Sequence, residues 1–256
     1  RMADGTGFGG WMKRLALLAL ALFLLAHLVM VAFRFLPTPG TLTMVERKLD
    51  GAHIARVLVP LEDVSPHVVR AVIAAEDSRF CEHNGLDIDA SEKALDERAA
   101  GKGLRGASTI TQQTAKNVFF WNGGGYARKA GAAWVASVID TVWGTRRVME
   151  MYLNVAEWGD GIFGSEAAAL LRFNKHANDL TEREAALLAA VLPSPHKWRV
   201  DPPGPYVRER AGTLQARMRV VAGEGLADCV LARRTGFALR LPPHPSQSGD
   251  HQPGKV

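Results

Sequence analysis

The stretch AAEDSRFCEHNGLD, residues 74–87, organises the fold and is where chemistry is expected. The apolar residues before it, 68–75, recur at helical spacing and end abruptly in the pair Glu76 and Asp77. A carboxylate at the end of an apolar helix is partly removed from water. Burial of this kind raises the pKa of a glutamate and makes it a usable acid or base near neutral pH. The alternative is a solvated helix end without chemistry.

Composition limits the size and the partners of the protein. The chain has 256 residues, of which 47% are apolar and 22% charged, so about one domain of ordinary size remains beside a membrane segment and a tail. The net charge of +5 suits an anionic partner, such as nucleic acid, an acidic membrane surface or a phosphate-bearing substrate. The basic residues do not form one long run, which argues against a nucleic-acid-binding tail.

Residues 15–33 are almost wholly apolar and predict a membrane anchor. At about 1.5 Å per residue this segment spans roughly the 30 Å core of a bilayer. Lys13 and Arg14 precede it and only Arg34 follows closely, which favours a cytoplasmic N-terminus with the rest of the chain outside. A cleaved signal peptide is the alternative, but its apolar region is normally shorter and ends at a small-residue cleavage site, which is not evident here.

The remaining patterns divide the chain into segments. Residues 34–44 contain L-P-T-P-G and predict a linker, and the chain loses periodicity after residue 222. We expect the following organisation: a cytoplasmic N-terminus at 1–14, a transmembrane anchor at 15–33, a linker at 34–44, a globular domain at 45–222 and a disordered C-terminal tail at 223–256.

The two cysteines, Cys81 and Cys229, show no metal-binding spacing. We interpret them as two free thiols. A disulfide is the less favoured alternative, because Cys229 falls in the predicted tail.

Helical periodicity dominates the globular segment, so the predicted fold class is mainly α. Ser65 and Pro66 predict the start of the helix that ends at Glu76, as N-cap and first-turn proline. A short strand is predicted at 57–59. Further helices are predicted at 89–100, 107–117, 126–143, 145–157, 165–173, 182–192 and 202–221.

A second motif, GASTITQQ at residues 106–113, continues to Lys116 and Asn117. Short hydroxyl and amide side chains are poor choices for a helix interior. A solvated helix face is the alternative, but such a face would contain more glutamate and lysine. The composition therefore favours a surface that binds a polar ligand.

Two further motifs follow. Arg128 and Lys129 begin a predicted helix after a glycine loop, where two cations beside helix N-terminal amides can neutralise a phosphate or pyrophosphate. Residues 152–168 contain three spaced glycines before an alanine pair, which we interpret as structural, for turns and close helix packing.

In combination and order, E-D-x-x-F-x-x-H-x-G and G-x-S-T-I-T-Q-Q resemble the peptidoglycan glycosyltransferase family, glycosyltransferase family 51. The resemblance covers roughly residues 60–195. The single N-terminal anchor is similar to that of the monofunctional members of that family.

The resemblance implies a lysozyme-like, two-lobed helical domain whose smaller lobe faces the membrane. It implies that the 4-hydroxyl of lipid II attacks the anomeric carbon of a lipid-linked glycan, inverting the configuration and releasing undecaprenyl pyrophosphate. Glu76 takes the place of the family's general base, and Asp77 is a further catalytic residue that supports it. The implied substrate-binding residues are His83, Ser108, Thr109, Gln112, Gln113, Lys116, Asn117, Arg128 and Lys129.

The sequence departs from the family at its second catalytic carboxylate. The family pattern is R-K-x-x-E, but Ala132 stands at the glutamate position. Asp140, the next acid, is two turns further on and about 80° around the helix, so we do not expect it to substitute. Loss of such a carboxylate could cost about a hundredfold in rate. The alternatives to a transferase are therefore a catalytically weakened protein that binds lipid II or glycan, and a lysozyme-type hydrolase.

The resemblance also bears on cofactors, partners and location. A divalent cation, Mg²⁺ or Mn²⁺, is the candidate cofactor, although no motif in the sequence specifies a metal site. The expected partners are lipid II, the lipid-linked growing glycan, the membrane, and other cell-wall synthesis or division proteins, with no nucleic acid. The expected location is the bacterial inner membrane, with a periplasmic catalytic domain and a cytoplasmic N-terminus.

Overall fold

The computed structural model describes residues 6–38, 40–101 and 108–232. This part of the chain is mostly helical, which confirms the predicted fold class. The helices are α1 Thr6–Phe33, α2 Leu42–Leu49, α3 Pro66–Glu76, α4 Ile88–Ala99, α5 Ile110–Phe119, α6 Gly125–Val155, α7 Ser165–Phe173, α8 Glu182–Val191, α9 Pro205–Gly223 and α10 Asp228–Leu231. The strands are β1 Ala55–Arg56, β2 Glu157–Gly159 and β3 Ile162–Phe163, and single 3₁₀ turns occur at Leu61–Asp63 and Ala177–Asp179.

Helix α3 forms the centre of the core. The Ser65 hydroxyl accepts a hydrogen bond from the His67 amide at 3.3 Å, which confirms the predicted N-cap. The valines and isoleucine of α3 are fully buried, and the helix packs against both α8 and α9. Helix α5 packs along α6 and against α2. Because α3 ends at Glu76, this packing carries the carboxylate to the edge of the core.

Helix α6 is interrupted at Gly144, where the backbone takes φ 73° and ψ 161°. Glycine reaches positive φ without a side-chain penalty, so the helix can kink there and continue. The two helices predicted at 126–143 and 145–157 are therefore the two halves of α6, and the boundary between them is confirmed.

A small sheet joins the start and the middle of the domain. Strand β3 pairs in parallel with β1 and antiparallel with β2. The predicted strand at 57–59 lies two residues too late, because the Asn154 side chain, rather than a strand, bonds both backbone groups of Val59, at 2.9 and 2.8 Å. Gly161 has φ 72°, and a Cβ there would lie 2.3 Å from the His53 carbonyl oxygen, which supports the structural interpretation of the glycine motif.

Helix α1 is long and apolar enough, over Gly10–Phe33, to cross a membrane. It begins at Thr6, earlier than the predicted anchor. Its final turn docks on α6: Met30 is buried, and its carbonyl accepts a hydrogen bond from the Trp143 indole at 2.7 Å. Arg147 donates to the Phe33 carbonyl at 2.9 Å and so caps the end of the helix.

The prediction of two free thiols is wrong: Cys81 and Cys229 form a disulfide with a Cα–Cα distance of 5.7 Å. The cause of the error lies in the predicted tail. Residues 223–232 are not disordered, because Ala227 and Val230 are buried and α10 packs against α6. This packing brings Cys229 to the turn that follows Glu76. Residues 233–256 of the predicted tail lie outside the described residues.

Candidate active site

Glu76, the predicted base, lies at the last turn of α3 with a mostly buried carboxylate. Gln113 Nε2 donates a hydrogen bond to its Oε2 at 3.0 Å. Within the described residues, the buried Oε1 accepts no hydrogen bond. Burial raises the pKa of Glu76, and the hydrogen bond from Gln113 and the charge of Arg210 offset only part of this effect. Gln113 therefore fixes one carboxylate oxygen of Glu76, and the other oxygen accepts no hydrogen bond from the described residues.

Asp77, predicted to be catalytic beside Glu76, links the end of α3 to the turn at His83 and to the start of α5. Its carboxylate oxygens accept from His83 Nε2 at 3.0 Å, and Oδ2 also accepts from the Ile110 amide at 3.0 Å. The carboxylate can only accept, so His83 carries its proton on Nε2. Asp77 therefore fixes the first amide of α5 relative to the end of α3, which is a positioning role beside Glu76.

His83, predicted to bind substrate, lies inside the protein with a side chain that is only 7% exposed. Burial alone would lower its pKa, but the hydrogen bond from His83 to Asp77 and the charges of Asp77, Asp87 and Asp140 outweigh it, so the pKa is raised. The negative charges of these acids favour the imidazolium form of His83.

The start of α5 explains two residues of the second motif. Thr109 and Gln112 form a capping box, with the Thr109 amide donating to Gln112 Oε1 at 2.9 Å and the Gln112 amide donating to Thr109 Oγ1 at 3.1 Å. The Thr109 hydroxyl also donates to the Gly85 carbonyl at 2.7 Å. Gly85 has φ 80°, and a Cβ there would lie 2.9 Å from Asp140 Cβ. These contacts lock the turn after Glu76 onto α5.

Two other residues of the second motif, Ser108 and Asn117, are more accessible. Ser108 is exposed, and its carbonyl accepts a longer contact from Gln113 Nε2 at 3.4 Å. Asn117 is half-buried on the same helix. Gly106, the first residue of the motif, lies outside the described residues.

Cations of the second and third motifs, Lys116 and Arg128, affect each other electrostatically. Burial lowers the pKa of Lys116, and the charge of Arg128 lowers it further, while Glu157 and Glu46 act in the opposite direction. The repulsion between Lys116 and Arg128 makes them a candidate pair for one anionic group, whose negative charge would relieve it. Lys129, one residue after Arg128, is exposed to solvent.

Two residues absent from the sequence prediction support Glu76. The charge of Arg210, on α9, acts on Glu76, and among the described residues its buried Nε has no hydrogen-bond partner. The buried Tyr152 hydroxyl donates to Gln113 Oε1 at 3.4 Å and so orients the amide toward Glu76. Tyr152 opens the fourth motif and Arg210 lies in the helix predicted at 202–221. Only the tertiary packing brings Tyr152 to Gln113 and lets the charge of Arg210 act on Glu76.

The position of the missing carboxylate is occupied by Ala132, which is 5% exposed on α6. Asp140 does not face this position. Its Cβ lies against Gly85, burial raises its pKa, and the charge of His83 lowers it in part. Asp140 is therefore a neighbour of His83 and takes no part in the cation pair.

One group of side chains within residues 6–38, 40–101 and 108–232 has the composition of a metal site. Ligand atoms of Glu157, Asp160 and His196 lie within 4.8 Å of one another. Arg47, however, donates to Glu157 Oε1 at 3.3 Å and pairs with Asp160. Because a guanidinium already compensates both carboxylates, this group fits a divalent cation poorly, and the predicted Mg²⁺ or Mn²⁺ stays a prediction.

Comparison with known proteins identifies the family. The Transglycosylase family model matches residues 43–222, close to the predicted domain. A "Biosynthetic peptidoglycan transglycosylase" of Rhodospirillum centenum is 49% identical over 86% of this chain and 96% of its own length. Proteins with the same name are 46% identical in Caulobacter vibrioides, over 87% of this chain and 99% of theirs, and 46% identical in Pseudomonas aeruginosa, over 79% and 90%. The chain thus belongs to the transglycosylase family of peptidoglycan synthesis, as the motifs predict.

Proposed function

We propose that this protein polymerises lipid II into β-1,4-linked glycan strands and releases undecaprenyl pyrophosphate, with Glu76 as the general base. The family gives the class of reaction. The observation that carries the assignment to Glu76 is its buried carboxylate, with one oxygen held by Gln113 and the other without a hydrogen bond from the described residues. A sugar hydroxyl is a very weak acid, so its attack needs a positioned base of this kind.

In the proposed step the acceptor 4-hydroxyl transfers its proton to Glu76. Its oxygen forms a bond with the anomeric carbon of the donor, and the bond from that carbon to the pyrophosphate oxygen breaks with its electron pair. The configuration at the anomeric carbon inverts. Gln113 and Arg210 stabilise the ionised form of Glu76 before the proton arrives.

Lys116 and Arg128 are proposed to hold the leaving pyrophosphate. This group departs with negative charge, so cations stabilise the departure better than a proton donor does. Glu157 and Glu46 favour the charged form of Lys116, which offsets part of the effect of its burial. No step of the proposal requires a metal ion.

The proposed substrates, lipid II and the lipid-linked glycan, remain in the bilayer through their polyprenyl chains. Docking of the final turn of α1 on α6 holds the domain beside that bilayer. We place the N-terminus in the cytoplasm and the catalytic domain in the periplasm. The Cys81–Cys229 disulfide supports this orientation, since disulfides persist in oxidising compartments. Further division or cell-wall proteins remain predicted partners.

A catalytically weak protein that binds lipid II or glycan is the second candidate, and Ala132 is the observation that favours it. Incubation of the full chain in detergent with labelled lipid II, and separately with finished glycan strands, distinguishes the classes. Polymer made from lipid II supports the transferase. Retention of lipid II without conversion supports the binding protein, and shortened strands would show a hydrolase.

A further inference from the structure

The disulfide joins the segment that follows the base to a distant part of the chain. Cys81 lies in residues 77–87, which we call the base turn because it connects Glu76 to α4. Cys229 lies in α10, and the sequence separation between the two cysteines is 148 residues. The bond therefore encloses α5, α6 and their cations in one covalent loop.

The base turn fits closely between α5 and α6. The Phe80 amide donates to the Asp77 carbonyl at 3.2 Å, and the Phe80 ring is 1% exposed. Gly85 accepts from Thr109 on one side and, on the other, leaves no room for a Cβ beside Asp140. A displacement of this turn would therefore move Asp77, which holds the Ile110 amide and directly follows Glu76.

Helix α10 is anchored to the core as well as to the base turn. It covers only Asp228–Leu231 and has no side-chain hydrogen bond at its N-cap. Isolated helices of this length are not stable, so its position depends on tertiary contacts. Val230 is fully buried with its carbonyl accepting from Arg146, and Leu231 packs against the core. The Cys229 bond therefore ties the base turn to a helix that the core already holds.

We propose that the Cys81–Cys229 disulfide is a positioning link that braces the base turn against α10 and α6, so that full glycosyl transfer needs this pair in its oxidised state. The effect on transfer rests on the proposed function of Glu76, whereas the bracing of the turn does not. The bond forms when two thiols lose two protons and two electrons to a disulfide-bearing oxidant by thiol–disulfide exchange, and the oxidant becomes a dithiol. In a reducing compartment the two cysteines would remain thiols, and the base turn beside Glu76 would be held less firmly.

The test compares the oxidised full-length protein, the same protein after reduction, and the double variant Cys81→Ala/Cys229→Ala, all in detergent. Hydrogen exchange at the Ile110 amide reports the bracing directly, and we expect at least about tenfold faster exchange after reduction or in the variant. We expect kcat to fall about three- to tenfold with KM within about twofold. A loosened Glu76 gains water, so the acid limb of the kcat profile should move to lower pH.

The double variant is also the control for the reductant, which should change neither its exchange nor its rate. A fall in Tm of roughly 5–15 °C is expected on loss of a long disulfide-closed loop, but it would arise from a purely structural link as well. Unchanged Ile110 exchange and an unchanged acid limb would therefore overturn the proposal whatever happens to Tm. Absence of polymer from the oxidised wild type would instead refute the proposed function, while the exchange measurement would still decide the bracing.

Discussion

The hydrogen bond from Gln113 to Glu76 should set the pH at which the base becomes active. Gln113 Nε2 donates to Glu76 Oε2 at 3.0 Å and stabilises the ionised carboxylate against the effect of burial. Gln113→Met keeps a similar volume and removes the donor. Glu76 should then hold its proton to higher pH, so the acid limb of kcat/KM should shift upward.

The magnitude follows from the type of bond. A hydrogen bond to a charged group contributes about 1.5–3 kcal/mol, and about 1.4 kcal/mol corresponds to one pH unit. We therefore expect the limb to move up by roughly one to two pH units, with a smaller loss of rate on the alkaline plateau. The assay is the initial rate of polymerisation of labelled lipid II from about pH 5 to 9.

Tyr152→Phe is the matched control for this prediction. The Tyr152 hydroxyl meets Gln113 Oε1 at 3.4 Å, so its loss only frees the amide to turn, and the shift should be smaller but in the same direction. If the acid limb of folded Gln113→Met coincides with that of the wild type, the proposed control of Glu76 by Gln113 is wrong.

Three further predictions concern the residues around the base. The raised pKa of His83 means that its contribution to stability is present below about pH 6.5 and is lost as pH rises through the folded-state value. Thermal unfolding should therefore show that His83→Gln lowers Tm more at pH 6 than at pH 9. Burial and the charge of Arg128 lower the pKa of Lys116, so Lys116→Arg should move the alkaline limb of the pH–rate profile for polymerisation to higher pH. Lys116→Met should lower kcat/KM by about a hundredfold. A wild-type profile in both variants would exclude Lys116 from the pyrophosphate site. Ala132→Glu should raise turnover of lipid II about tenfold or more, and a folded variant with no gain would show that the missing carboxylate is compensated elsewhere.

The sequence predicts those parts of the fold that depend on local signals. Ser65 caps α3 and Gly144 divides α6, because each acts through its own neighbours along the chain. The strand prediction at 57–59 fails because a side chain from residue 154 replaces the expected strand partner. Such a replacement has no local signature.

The site shows the same division between local and distant information. The motifs identify Glu76 and its surroundings, but they do not separate Thr109 and Gln112, which form the capping box, from Gln113, which contacts the base. Arg210 lies in a predicted helix and Cys229 in the predicted tail, and neither position carries a local signal for the site. Their roles depend on packing among α3, α6, α9 and α10, which spacing along the sequence does not report.

The identity of the base is tested most directly by Glu76→Gln in polymerisation of labelled lipid II, with Tm measured on the same sample. The raised pKa of Glu76 means that its contribution to stability is lost as pH rises through the folded-state value, so the neutral glutamine should leave Tm at pH 8 equal or higher. We predict a loss of polymerisation of about a hundredfold or more. Polymerisation at the wild-type rate by this variant would contradict the account.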